Sequence, residues 1–294
     1  MSDRPDWERE GRDWPNRAHS RFVSVGGMRW HVQVAGPKDA DAPVLLLLHG
    51  TGAATHSWRA MLPLLAKHFT VVAPDLPGHG FTARGPQTLP AMAKSVAALL
   101  GELDLKPTAV VGHSAGAAVG LRMALDGLVD AKAVVGLSPA LLPFPGLAAK
   151  LFPTMAKLLF VNPFAPHIFA GIARGQGEVA RFMLRSTGSK IDAAGIDGYA
   201  KLFGKPGHIA GTIAMMASWD LEPLKRDLPG LASPLLLIHG DGDTAIPLAK
   251  AREAAALVPG ARLEVLTGLG HLAHEEAPER VAEMITVFAG EAVI

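Results

Sequence analysis

A serine hydroxyl is a poor nucleophile at neutral pH. It attacks a carbonyl when a histidine takes its proton, and that histidine needs a carboxylate to orient it. The sequence supplies these residue types in telling settings. Ser114 lies in Gly112-His113-Ser114-Ala115-Gly116, the G-x-S-x-G spacing that places a serine at the apex of a sharp turn. Asp241 and Asp243 lie in Ile238-His239-Gly240-Asp241-Gly242-Asp243-Thr244, and His271 and His274 follow in Gly268-Leu269-Gly270-His271-Leu272-Ala273-His274. Nucleophilic acyl transfer is the chemistry that such a set could perform.

The elements around Ser114 match that reading. Thr108 to Val111 is a β-branched apolar run, and Ala117 to Ala124 is small and apolar at helical spacing. Strand, abrupt turn and helix are the context in which G-x-S-x-G means a nucleophile elbow. Glycines two residues either side leave room for the strained backbone, and the helix N-terminus points N–H groups at developing negative charge. For the acid, the end of the next strand, Val134 to Pro139, has no carboxylate, whereas the turn after Pro234 to His239 has two. Asp243 is the expected acid and Asp241 the turn cap. His271, in a flexible glycine loop, is the expected base, with His274 structural. An oxyanion needs backbone donors. Ala115 N–H is one, and Thr51 N–H in His49-Gly50-Thr51-Gly52 is the other. His49, His113 and His239 read as structural hydrogen-bonders. Pro74-Asp75-Leu76-Pro77-Gly78-His79-Gly80 reads as a rim turn without a catalytic role, and Trp219 as a candidate substrate-lining residue or a packing one. His271, His274 and Glu275 fit neither H-E-x-x-H nor H-x-x-E-H, so no metal site is expected, and the chemistry calls for no cofactor.

The chain alternates strands and helices after an initial hairpin, Phe22–Val25 and Met28–Val34 about Gly26-Gly27. Expected strands are Val44–Leu48, Phe69–Ala73, Ala133–Leu137, Pro234–His239 and Arg262–Leu266. Expected helices are Ser57–Lys67, capped by Ser57, then Leu89–Leu103, Leu248–Val258 and Pro278–Ala289. This predicts an α/β fold: a mostly parallel sheet with helices on both faces. Residues 1–138 and 219–294 form the expected core. Residues 1–20 are an arm that docks by Trp7 and Trp14 or stays disordered, and residues 139–218 are a helical cap insert. The insert has eight Lys and Arg against three Asp and Glu, so it is basic although the whole chain carries only +1.

That near-neutral balance excludes a global pull toward nucleic acid. The absence of cysteine excludes disulfides, thiolate metal sites and a cysteine nucleophile. The N-terminal residues lack the apolar core of a secretory signal, and no apolar run reaches membrane-span length, so a cytoplasmic protein is expected. Leu141 to Ile172 is very apolar but interrupted by prolines. It either lids a pocket over its own core or, with Lys150 and Lys157, rests peripherally on a membrane surface.

The motifs at 49–52, 74–80, 112–116, 240–243 and 268–271 together resemble the α/β-hydrolase superfamily over essentially the whole chain outside the cap. That resemblance implies Ser114 as nucleophile, Asp243 as acid, His271 as base and Thr51 with Ala115 as oxyanion donors, in the chain order expected of that fold. Glu10-Gly-Arg-Asp-Trp-Pro-Asn16, Arg29-Trp-His-Val-Gln33 and His49-Gly-Thr-Gly-Ala-Ala-Thr-His-Ser-Trp-Arg59 are similar to the magnesium-chelatase accessory proteins of bacteriochlorophyll biosynthesis. This narrower resemblance implies a pathway and an association with magnesium chelatase, not a substrate. Two functions stand open. One is a serine hydrolase acting on an ester or related acyl bond of a bulky apolar substrate, for which the basic cap allows carboxylates; a tetrapyrrole fits, and so does a fatty-acyl ester. The other is a non-catalytic tetrapyrrole-binding or chelatase-assisting protein that retains the triad.

Overall fold

Leu45, Leu46, Leu47 and Leu48 are all fully buried, and they divide by parity between two cores. Leu46 and Leu48 join Val72 and Val110 in one, and Leu45 and Leu47 join Val71 and Val111 in the other. Successive side chains of a strand point to opposite faces, so this run is a strand covered on both sides. The computed structural model describes residues 3–37, 42–143, 158–159 and 161–293. Its eight-stranded sheet runs β1-β2-β4-β3-β5-β6-β7-β8. The strands are β1 Ser20–Val25, β2 Met28–Ala35, β3 Val44–Leu48, β4 Thr70–Pro74, β5 Pro107–His113, β6 Ala133–Leu137, β7 Leu235–Gly240 and β8 Arg262–Leu266. The hairpin β1–β2 is antiparallel, and β2 pairs antiparallel with β4; every pairing from β4 through β3 to β8 is parallel.

Helices Leu89–Glu102 and Ala115–Leu125 pack on the first face, and Met61–Leu65 and Pro278–Val293 on the second. One expected helix differs. Instead of running from Ser57 to Lys67, the segment forms a short 3₁₀ turn, Thr55–Trp58, and a five-residue helix, Met61–Leu65. Ser57 Oγ donates to Ala54 O at 3.0 Å rather than capping, and Pro63, lacking an N–H, sits within the helix.

The arm docks. Trp14 is buried, and its Nε1 donates to Thr55 Oγ1 at 2.9 Å. Trp7 packs edge-on against Phe22 and Phe81. Between β6 and β7 come the helices Ala165–Ala173, Glu178–Thr187, Ala193–Phe203 and Pro206–Ser218, then Glu222–Asp227, and no strand occurs among the described residues of this interval. Residues 144–157 and 160, with Lys150 and Lys157, lie outside the described residues. No helix among the described residues is long and apolar enough to cross a membrane.

In a parallel sheet every strand ends on the same edge, so the loops that follow them converge. Here they bring together His49 after β3, Asp75 after β4, Ser114 after β5, Asp243 after β7 and His271 after β8.

Candidate active site

Ser114 sits between β5 and helix Ala115–Leu125 at φ 50°, ψ −114°, a conformation that L residues avoid. The bend is tight enough to require its two glycines. A Cβ at Gly112 would lie 2.4 Å from Ala117 N, and one at Gly116 would lie 2.0 Å from Leu48 O. The backbone holds the apex from both sides: Ser114 N donates to Leu137 O at 2.9 Å, and Ser114 O accepts from Ala140 N at 3.1 Å.

Asp243 and His271 meet as expected. Asp243 Oδ2 lies 2.8 Å from His271 Nδ1, while Oδ1 accepts from the N–H groups of Ala245 and Ile246, each at 2.8 Å. The turn's own backbone thus fixes the carboxylate that orients the ring. Asp241 serves the neighbouring loop, accepting from Gly268 N at 2.7 Å. His239 Nε2 is 3.0 Å from Ile246 O and 3.5 Å from Asp243 Oδ2, bracing the same turn. Among the described residues Ser114 Oγ has no hydrogen-bond partner, so the hydroxyl and the imidazole are not joined in this state. Their link runs through His113. Its Nε2 lies 3.1 Å from His271 O, and the two rings pack with centroids 4.7 Å apart. Catalytic hydrogen bonds are often long in the absence of substrate and tighten when it binds.

The loop after β3, where an oxyanion donor is expected, approaches the elbow. A Cβ at Gly50 would lie 3.1 Å from Ser114 Cβ, which puts residues 49–52 in contact with the elbow. Thr51 N–H has no acceptor among the described residues, and Ala115 N–H is at the first helical position, where no intrahelical acceptor exists. His49 is structural, as read from the sequence. Leu76 N donates to His49 Nε2 at 2.8 Å, so the ring's proton is on Nδ1, directed at Gly50 O, and burial lowers its pKa. Asp75 is more than a rim turn. Its buried carboxylate accepts from Thr55 N at 2.7 Å and Phe81 N at 2.9 Å and pairs with His31 Nδ1 at 2.8 Å. His31 and these backbone donors hold Asp75 well below the usual carboxylate range although burial opposes it.

The loop carrying His271 is not the flexible glycine segment that its composition implies. His271 N donates to Thr187 O, Leu272 N to Ser189 Oγ, and Gly270 N to Glu276 Oε2, each at 2.8 Å. A Cβ on Gly270 would lie 2.4 Å from Ser189 Oγ, so glycine here allows close packing, not motion. Buried Glu275, pushed up to about 7 by burial against the pull of Arg59, pairs with Arg59 and accepts from Tyr199 Oη at 2.8 Å. Arg59 also bonds Asp192 at 2.7 Å. Thr187, Ser189, Arg59 and Tyr199 were not legible as site residues, and Glu275 reads in the sequence only as a candidate metal ligand, because nothing local says that the segment 187–192 reaches the His271 loop. His274 is buried between Trp58 and His113 rings, and burial lowers it to about 3, in keeping with a structural role. Trp219 packs against the first-face core, and its Nε1–H finds no acceptor among the described residues.

Known proteins agree with this architecture. A family model described as "Alpha/beta hydrolase family" matches residues 45–284. The chain is 43% identical to the magnesium-chelatase 30 kDa subunit of Rhodobacter capsulatus, over 93% of this chain and 95% of that one. It is 33% identical to the pimeloyl-[acyl-carrier protein] methyl ester esterase of Aromatoleum aromaticum, over 83% of this chain and 97% of that one. In structure it is similar to the epoxide hydrolase CorEH, with a TM-score of 0.79 at 24% identity over 92% of this chain and 98% of that one; this likeness bears on the fold alone. The chain belongs to the α/β-hydrolase family.

Proposed function

We propose that this protein is a serine hydrolase that cleaves an ester of a bulky apolar substrate bearing carboxylates, a description that a tetrapyrrole meets. Ser114 Oγ attacks the carbonyl, His271 Nε2 takes the proton, and the oxyanion rests on the N–H groups of Thr51 and Ala115. His271 returns the proton to the leaving alcohol, and water then releases the acyl group by the same path in reverse. The observation that carries this reading is the 2.8 Å Asp243–His271 bond beside a serine held at φ 50°. Serine at 114 argues against epoxide opening, which in this fold uses aspartate there. Residues 139–218 serve as the lid in this reading, and Trp219, where the chain returns to the core, packs against the first-face core. The similarity to a methyl ester esterase supports an ester as the bond. The similarity to a magnesium-chelatase subunit supports a place in bacteriochlorophyll biosynthesis and association with that chelatase.

A second reading is a tetrapyrrole-binding or chelatase-assisting protein without turnover. It is favoured by the relative's name and by the unbonded Ser114 hydroxyl. Fluorophosphonate labelling separates the two. Modification of Ser114, lost in Ser114→Ala, supports the hydrolase; folded protein that does not label supports the binding role.

We also propose that the lid rests on anionic bilayers. Helix Ala165–Ala173 turns Ala165 and Ala170 inward and exposes Ile168 and Ile172, alongside exposed Phe164 and Phe182. Exposed Arg174 caps this helix, and exposed Arg181 and Arg185 lie with Phe182 on helix Glu178–Thr187; such charges suit anionic headgroups. Flotation with phosphatidylglycerol vesicles, reduced by Phe164→Ser with Ile168→Ser, is the expected result; protein that stays wholly in the aqueous fraction overturns the proposal.

A further inference from the structure

On the other side of helix Pro206–Ser218 from the oxyanion loop lies a cavity of about 670 Å³. One face of this helix serves the Ser114 edge: Met215 Sδ accepts from Thr51 Oγ1 at 3.4 Å, and His208 Nε2 donates to Gly52 O at 3.0 Å. The cavity is lined by the opposite face together with the N-terminal arm, the Arg84–Gln87 loop and the start of helix Ala165–Ala173. Neither Ser114, Asp243, His271 nor Thr51 lines it. Its volume is that of a pocket for a small organic molecule, about 300–1,000 Å³.

Its chemistry is specific. Arg4 and Arg84 both line it, and burial, with Arg84 nearby, lowers the Arg4 guanidinium below its ordinary value. Arg4 donates to Thr82 O, whereas Arg84 makes no hydrogen bond or ion pair among the described residues. Two guanidinium groups on one wall, Arg84 exposed and Arg4 partly buried, favour an anionic group over a cationic one. Among the described residues the single acid on the lining, Asp3, faces His167 at 4.0 Å. Leu159 and Ile213 supply apolar wall that a bare inorganic anion would leave uncovered.

We infer that this cavity is a second ligand site, separate from the Ser114 edge, for an amphipathic carboxylate whose acid group sits on Arg84 and Arg4 and whose apolar body lies along Leu159 and Ile213. The site stands whether or not Ser114 is used for chemistry. Because its wall is the helix that also braces Thr51 and Gly52, a ligand here packs one helix diameter from the oxyanion loop.

The test is calorimetric titration of the full-length protein with dodecanoate and with dodecanol, both below their aggregation limits. Dodecanoate is expected to bind at least tenfold more tightly than dodecanol. Arg84→Ala should weaken dodecanoate binding tenfold or more, Arg84→Lys should keep part of it, and Ala210→Phe, which fills the cavity, should abolish it, each with an unchanged melting temperature. If Ala210→Phe fails to fold, Arg84→Ala decides alone. Equal binding of acid and alcohol, or binding indifferent to Arg84→Ala, overturns the inference. So does binding lost on covalent blocking of Ser114 and retained in Arg84→Ala, since the ligand would then occupy the catalytic edge.

Discussion

Ser114 concentrates the cost of the site in a single residue. A non-glycine residue in its conformation costs on the order of 1–3 kcal/mol, held in place by the surrounding backbone bonds. Ser114→Gly should therefore abolish ester hydrolysis while raising stability by about 1 kcal/mol in denaturant titration; a variant no more stable than the parent would show that the bend is unstrained. Asp243→Asn keeps the shape of the turn but offers His271 the wrong partner, and kcat for a p-nitrophenyl ester should fall on the order of 10⁴-fold with KM little changed. An unchanged kcat would remove Asp243 from the mechanism. The type of each of these residues was readable because G-x-S-x-G and the strand-end aspartate are local patterns. His113 was read as structural, but that it packs between the base and His274 is a fact of the fold.

At the scale of elements, the His271 loop is held by the segment between helices Glu178–Thr187 and Ala193–Phe203. Ser189→Ala removes the acceptor of Leu272 N, a buried bond worth about 1 kcal/mol. A several-fold lower kcat is expected with a small drop in melting temperature; an effect on KM alone would mean that the contact serves binding. Gly270→Ala is the harsher change, because its Cβ would meet Ser189 N at 2.6 Å as well as Oγ. It should separate residues 187–192 from the His271 loop, seen as faster proteolysis of that segment, whereas protease resistance equal to the parent would contradict the clasp. The strands were legible to within two residues at each end, since continuous apolar runs and β-branched stretches mark buried parallel strands. The helix expected from Ser57 was not, because burial of Trp58 and the proline at 63 overrode its periodicity.

Across the whole molecule, histidines are buried far more often than solvation favours. His49, His56, His79, His113, His208 and His274 are all buried, and each is lowered by desolvation, His208 to about 4 and His274 to about 3. Above pH ~6.5 these rings are neutral in both folded and unfolded chains and leave stability unaffected. As pH falls below that value the unfolded chain takes up protons that the folded one refuses, so stability is lost, up to about 2 kcal/mol per fully shifted ring at pH 5. Glu275, raised to about 7, works in the opposite direction but is a single group. Melting temperature should therefore fall steeply between pH 7 and pH 5, and a flat profile would show these rings to be solvated. His208→Asn and His274→Asn should each flatten the slope.

What the amino-acid order determined alone was whatever depends on neighbours along the chain: the elbow, the strands, the candidate acid and base, and the α/β class. Residue types at short spacing impose these through backbone sterics and side-chain alternation. What only the tertiary structure decided was every contact between distant segments: the His31–Asp75 pair, the hold of residues 187–189 on the His271 loop, and the arginine-lined cavity beside helix Pro206–Ser218. Those contacts arise because a parallel sheet gathers the ends of its strands on one edge. Which side chains meet there depends on topology and packing, which no local pattern encodes.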